Sequence, residues 1–418
     1  MSKVKKIMPW VPVWAIIIAS ILVSFEYGKV PPAAPSMMEV LGISYTTQGL
    51  LMTMFSIAAV VMGLVGGTLI DKLGARKVVS VALALTVVGN VIGLFWTTDA
   101  GLLVTRVLEG LGYGATMTAG PGVIAAWYPP EKRGLVNGVW GANVGVGMMV
   151  CTMSATPILD ATDWSGMWIF GLVGAVLAFL LVALFVAMPP ADERQDAGDF
   201  PEQTEEDKKH GVLWGYLAPL PVLAAIMFFL VGGATDAFNA FTITYLNIEL
   251  GEAEAMANNA QTLAAFGMLT GAVIMGFLFA KVRDKGMLLL VNIALCAVGL
   301  FIWFNLALSP IMMCVVAFLI GCLLGAAPTA FFAVAPMAAR SPGTIGAATG
   351  MVVLGQNAGT LLIPTVVGMI LDATGYSVAA MFMGGISVVA ALICIAFRVL
   401  YKKHVSANAE TAKPVAGE

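Results

Sequence analysis

The chain has 418 residues, of which 60 % are hydrophobic and 11 % charged, and its mean hydropathy is +0.93. No water-soluble core of this length calls for that balance, so most side chains must face lipid. The formal net charge of −3 resides in tails and loops, no Lys- or Arg-rich face is present to hold phosphates, and nucleic acid is excluded as a partner.

At the start, Lys3, Lys5 and Lys6 precede an apolar stretch with the outline of a secretory leader. No small-residue cleavage site follows, and the stretch reads as the first membrane span. A spanning helix needs about 20 mostly apolar residues. Twelve such runs follow in order, at residues 10–31, 47–70, 78–97, 101–127, 134–158, 166–188, 214–246, 259–280, 286–305, 309–336, 343–371 and 376–399. Between the sixth and seventh, Asp192, Glu193, Asp196, Asp199, Glu202, Glu205, Glu206 and Asp207 mark a solvated linker. The expected fold is an all-α membrane protein of twelve transmembrane helices in two six-helix pseudo-repeats. Residues 1–188 form the N-terminal bundle, 189–213 an acidic cytoplasmic linker, 214–400 the C-terminal bundle and 401–418 a cytoplasmic tail.

Basic residues set the orientation, because loops on the cytoplasmic side are enriched in them. Of the 21 lysines and arginines, all but Lys29 and Arg106 fall on one face of the twelve-span arrangement. They lie near the N-terminus, after the second, fourth, eighth and tenth runs, in the linker and at the C-terminal end. The opposite loops hold only acids, among them Glu39, Asp99, Asp160, Asp163, Glu249 and Asp372. Both termini are expected to be cytoplasmic, in a cell inner or cytoplasmic membrane.

Charges inside lipid-spanning segments are costly and commonly face a cavity. Apart from Arg398 at the cytoplasmic end of the last, the runs contain five: Glu26, Lys29, Arg106, Glu109 and Asp236. Glu26 and Lys29 are three apart in the first run, Arg106 and Glu109 three apart in the fourth, so each pair shares one helical face. With opposite chain directions, the two pairs come to comparable depth. Arg106 or Lys29 would hold an anionic substrate group, while Glu109, Glu26 or Asp236 would carry a proton. The same pairs can instead serve only to neutralise one another in a buried setting. Tyr27, Tyr113, Asn143, Asn239, Tyr245, Thr329, Gln356 and Asn357 could add neutral hydrogen bonds to a ligand or tie helices together. Pro31–Pro32 should end or kink the first span, and Pro328 and Pro336 should bend the tenth.

Five cysteines, Cys151, Cys296, Cys314, Cys322 and Cys394, lie in apolar runs without CxxC spacing and read as small buried side chains. The two histidines, His210 and His404, fall outside the spans, which argues against a histidine relay or metal site. No G-x-x-x-x-G-K-[ST] loop is present, so ATP is not the energy source, and no cofactor and no enzymatic activity are expected.

A shift of about 212 residues superimposes one half on the other: Asp71–Lys72 meets Asp284–Lys285, and Gly134 and Gly138 meet Gly346 and Gly350. Gly67-Thr-Leu-Ile-Asp71-Lys72-Leu-Gly74-Ala-Arg76-Lys77 resembles the G-x-x-x-D-[RK]-x-G-x-[RK]-[RK] signature of the major facilitator superfamily between spans two and three. Arg106-Val-Leu-Glu109-Gly110-Leu-Gly112 resembles its span-four motif, R-x-x-x-G-x-G. The second-half copy of the loop signature departs, with Ala280 in place of Gly67. The stretch from Glu26 to Pro32, with Pro35 and Gly49-Leu-Leu-Met-Thr, is similar to prokaryotic permeases of the cyanate/nitroimidazole and small-anion branch.

The superfamily resemblance implies a secondary transporter that acts as a monomer on a small molecule, with protons or a counter-substrate as driving partner and membrane lipid around it. It implies that spans one, four, seven and ten line the cavity, bringing the four charges to face Asp236, and that Asp71, Arg76 and Lys77 serve gating. It also makes nitrate and oxalate poor candidates, because the spans on which those carriers place basic residues have none here. Two bases and three acids leave anion and cation open. The leading reading is a carrier of a small carboxylate-like organic anion, proton-coupled or exchanging. The competing readings are a proton-coupled exporter of hydrophobic cationic or neutral drug-like compounds, with Phe238, Phe331 and Phe332 lining its cavity, and a channel or transport-like sensor.

Overall fold

The structure, a computed structural model, describes residues 10–189, 215–305, 308–341 and 344–411; of residues 130, 131, 134, 135 and 404–411 it describes the backbone only. Lys3, Lys5, Lys6, the end of the tail and all of the expected linker except Pro189 lie outside these residues. Helices in the first part of the chain are α1 (Trp10–Gly28), α2 (Val30–Leu41), α3 (Tyr45–Leu73), α4 (Ala75–Phe95), α5 (Asp99–Trp127), α6 (Pro130–Gly141), α7 (Asn143–Ala161) and α8 (Trp164–Phe185). In the second part they are α9 (Pro219–Thr244), α10 (Glu254–Lys281), α11 (Lys285–Trp303), α12 (Pro310–Met337), α13 (Ile345–Thr374) and α14 (Tyr376–Thr411). A π-helical turn, Tyr245–Glu249, continues α9.

Among the described residues, eleven helical stretches are long and apolar enough to cross a membrane. The expected fourth span, α5, is not one of them, although its 29 residues are ample in length. It carries Arg106 and Glu109 among glycines and threonines, and α1, α3 and α4 all pack on it, so protein rather than lipid surrounds much of it. Its low apolarity follows from its neighbours.

The first span is interrupted next to Pro31–Pro32, as expected of a kink there, but it runs on beyond residue 31. Pro31 and Pro32 do not end it; one apolar stretch runs from Trp10 to Leu41, broken at Lys29. Proline in the first turn of a helix costs nothing in hydrogen bonding, because the N–H groups there have no intrahelical acceptor. The two prolines therefore open α2, and the break falls just before them.

The described residues form two compact units. One comprises the chain up to Pro189 together with Ala240–Ala265; the other comprises the chain up to Asn239 beyond the linker and everything from Phe266 onward. The boundary does not follow the linker alone, because the end of α9 and the start of α10 are bonded into the first unit. Gln48 Nε2 donates to the Ala240 carbonyl at 2.6 Å and to Thr244 Oγ1 at 3.0 Å. Thr262 Oγ1 donates to Thr152 Oγ1 at 2.7 Å, and Asn258 Nδ2 to Thr156 Oγ1 at 3.1 Å.

The first unit's apolar core joins Ile16, Ile17 and Val23 of α1 to Val79 and Leu83 of α4, Val123 and Ile124 of α5 and Val182 of α8. The second unit's core joins Phe228 and Val231 of α9, Ile293 of α11, Phe331 and Val334 of α12 and Phe397 of α14. Between helices in lipid the driving force is close packing and buried polar bonding. Small residues let the backbones approach. A methyl group at Gly110 would collide with the Phe55 carbonyl, and one at Gly114 would meet the Ala59 carbonyl at 2.5 Å, so α5 lies directly against α3.

Candidate functional site

Four charges meet inside the first unit, and local structure places each one. The break at Lys29 leaves the Glu26 carbonyl at the end of α1, where the last carbonyls lack intrahelical donors. Arg106 Nη1 donates to it at 2.7 Å. The glycine seam between α5 and α3 brings Arg106 Nε to the Leu51 carbonyl at 3.2 Å and lays the guanidinium 4.3 Å from the centre of the Phe55 ring. Glu109, one turn further along α5, accepts from Arg106 Nη1 at 2.5 Å.

Lys29 closes the arrangement. Its ammonium donates to Glu26 Oε2, Glu109 Oε1 and Asn90 Oδ1, each at 2.7 Å, which matches its three N–H bonds with three acceptors. It also stands 4.4 Å from the centre of the Trp168 ring. Asn90 Nδ2 returns a bond to Glu26 Oε1 at 3.0 Å. Glu26, Lys29, Arg106 and Glu109 are all 0 % exposed. Removing charges from water is costly unless they are paired and hydrogen-bonded, and here two cations offset two carboxylates.

Every carboxylate oxygen in the cluster thus holds a donor. The buried polar atoms of this group that lack a partner are Arg106 Nη2 and Trp168 Nε1, and both are donors. Around Phe55 stand two half-buried tyrosines, Tyr27 at 5.7 Å and Tyr113 at 5.3 Å between ring centres, and the tyrosine rings stack on each other at 5.9 Å. Asn143 ties helices: its Oδ1 accepts from Ser24 of α1 at 3.0 Å.

The other expected polar residues belong to the second unit, apart from Tyr245, which opens the π-turn in the first. On α9, Asp236 accepts a hydrogen bond from Thr360 of α13. Asn239 of α9 is buried, and Gln356 and Asn357 of α13 and Thr329 of α12 are half-buried. The loop residues expected to serve gating also differ between units. Arg76 donates to the Ala183 carbonyl at the end of α8, while Asp71 and Lys77 stand exposed; among the described residues no ion pair joins Asp71 to Arg76. In the second unit Asp284 caps α11 through the Met287 N–H at 2.9 Å and pairs with Arg398 at 2.7 Å and Lys402 at 2.8 Å. Hydrogen bonds from Arg398 and then Lys402 hold its carboxyl well below the usual carboxylate range.

The sequence does not single out Phe55 and Trp168, because aromatics are common in apolar runs. Asn90 left a visible trace as a lone amide in the third run, and its role emerges only with α1 and α5 beside it.

A model of the Major Facilitator Superfamily matches residues 16–348 and 242–416. A hexuronate transporter of Bacillus subtilis is 25 % identical over 401 residues, 91 % of this chain and 93 % of its own length. An uncharacterised transporter of Mycobacterium tuberculosis is 28 % identical over 195 residues, 45 % of this chain; the match spans a third of that longer protein (33 %). Among solved structures, a bacterial homologue of the human lysosomal transporter Spinster superposes with a TM-score of 0.74 at 16 % identity, over 97 % of this chain and 98 % of that one. The nucleoside transporter NupG superposes with a TM-score of 0.73 at 16 % identity, over 92 % and 98 %. Membrane-crossing helices throughout the chain and a family match over nearly all of it agree: this is a multi-pass membrane transporter, not an enzyme, and it belongs to the Major Facilitator Superfamily.

Proposed function

We propose that this chain carries a small organic anion bearing a carboxylate across a bacterial cytoplasmic membrane by alternating access, coupled to protons or by exchange. The observation that carries the reading is the unpartnered Nη2 of buried Arg106. A buried donor without a partner costs about 1–3 kcal/mol, and an incoming carboxylate oxygen would remove that cost. Each carboxylate oxygen already accepts a hydrogen bond, so a cationic ligand would have to share an acceptor, while the anion meets a donor that has none. This imbalance of donors over acceptors favours the anion over the cationic drug-like cargo. The likeness to a hexuronate transporter, named for a sugar acid, points the same way, as does the resemblance of Glu26–Pro32 to small-anion permeases.

Lys29 has all its donors engaged, and its part is to hold Glu26 and Glu109 together. Glu26, Glu109 and Asp236 are the proton carriers of the proposal, Tyr27 and Tyr113 stand beside Arg106 in the first unit, and Asn239, Gln356 and Asn357 keep a proposed substrate-binding role. Asp71, Arg76 and Lys77 retain the proposed gating role. The two six-helix halves are part of the same proposal. Supporting them, Gly114 and Gly325 admit α3 and α10 backbones, Gly147 and Gly359 admit α1 and α9 backbones, and these pairs stand 211 and 212 positions apart.

The test is binding and transport by Arg106→Lys in purified protein and proteoliposomes. Lysine preserves the charge but lacks the planar fork that holds a carboxylate from two directions. The expected result is folded protein that binds and transports small carboxylic acids at least about tenfold less well than the parent, a loss of ~1.4 kcal/mol. Parent-like uptake by Arg106→Lys would reduce the residue to a neutralising charge.

A further inference from the structure

We infer that the carboxylate taken by Arg106 is carried on a flat aromatic ring, so that the cargo class is an aryl carboxylate rather than a polyhydroxylated or purely aliphatic acid. The inference rests on the anion reading above and deepens it. Three aromatic side chains from three helices, Tyr27 of α1, Phe55 of α3 and Tyr113 of α5, stand within 5.3 to 5.9 Å of one another. The guanidinium of Arg106 lies on the face of Phe55, in the same group.

A site for a carboxylate alone needs the cation and no ring assembly beside it. A site for a sugar acid needs several free hydrogen-bonding groups, yet Glu26, Lys29, Asn90 and Glu109 are bonded to one another. Rings and an arginine edge together suit a ligand that presents a carboxylate at one end and a π-face behind it. Phe55 and Arg106 are buried while both tyrosines are half-buried, so the tyrosines are the exposed part of the group. Aromatic pairs contribute beyond the area they bury, a gain that an aryl ligand stacked on the tyrosines would add and a saturated ring of the same size would not.

The decisive comparison is benzoate against cyclohexanecarboxylate, which have the same charge and the same six-membered carbon ring, of which only the first has a π-face. Binding of both to the detergent-purified full chain is measured by calorimetry. The expected result is that benzoate binds about tenfold more tightly, and that Tyr113→Leu or Tyr27→Leu brings the ratio of the two affinities towards one while Tyr113→Phe preserves it. Equal affinities for both acids, each lost in Arg106→Lys, would overturn the aromatic inference and leave the anion reading standing. If neither acid nor any other small carboxylate binds the folded parent, both fall. Because the two acids are compared on the parent itself, the result does not depend on any variant folding.

Discussion

Asp236 shows how much a single residue's setting can decide. It has no cation three or four positions away on α9, and its carboxylate accepts from the Thr360 hydroxyl of α13. An asparagine could accept the same bond through its side-chain oxygen, so Asp236→Asn should fold while standing permanently for the protonated form. If Asp236 carries the coupling proton, the variant loses accumulation driven by a pH gradient yet keeps exchange of substrate down its own gradient. Parallel assays in proteoliposomes check this; uphill uptake equal to the parent's, with the same pH dependence, would make the residue a helix tie. At this scale the candidate site was partly legible. Glu26, Lys29, Arg106 and Glu109 stand out because lipid makes charge conspicuous, and their three-residue spacings fix which faces they share. The bonding of every carboxylate oxygen in the cluster was not legible, since it depends on Asn90 and on a carbonyl at the end of α1.

At the scale of helices, the contact between α3 and α5 sets where Arg106 can reach. Backbone meets backbone at Gly110, and even one added methyl group must push the helices apart. Gly110→Ala should therefore destabilise the protein by about 1–3 kcal/mol and reduce transport with it. Gly122→Ala, on the same helix with nothing within 4 Å of the added carbon, should leave both unchanged. Thermal unfolding in detergent and uptake assays read the pair side by side, and equal tolerance of the two substitutions would show that the close approach is not needed. Helix positions followed well from apolar runs, because a membrane demands a minimum length. A break near Pro31–Pro32 followed too, but the continuation of the first span to Leu41 did not, because only neighbouring helices decide whether the chain turns away after a helix restarts.

For the molecule as a whole, the distribution of lysine and arginine predicts sidedness. Single cysteines placed at Glu39, Asp160 and Asp372, all exposed, should react with a membrane-impermeant thiol reagent from outside intact cells. Those placed at Lys72, Lys132 and Lys281, also exposed, should react only after permeabilisation. Labelling of Lys72 or Lys281 positions from outside would invert the arrangement. The all-helical membrane fold and the family were legible at this level, while the assignment of residues 240–265 to the first unit was not, because it rests on bonds such as Gln48 to Thr244 across 196 positions of sequence. The neutral sum of the buried cluster has an electrical consequence. Two cations and two carboxylates cancel, so the buried cluster, once loaded, bears only the charge of its cargo. Moving one unaccompanied negative charge through the membrane potential changes its energy by about 2.3 kcal/mol per 100 mV. With the cell interior negative, voltage opposes entry of a bare anion and favours its exit, whereas a cargo travelling with its proton, or exchanged for another of equal charge, crosses indifferent to the field.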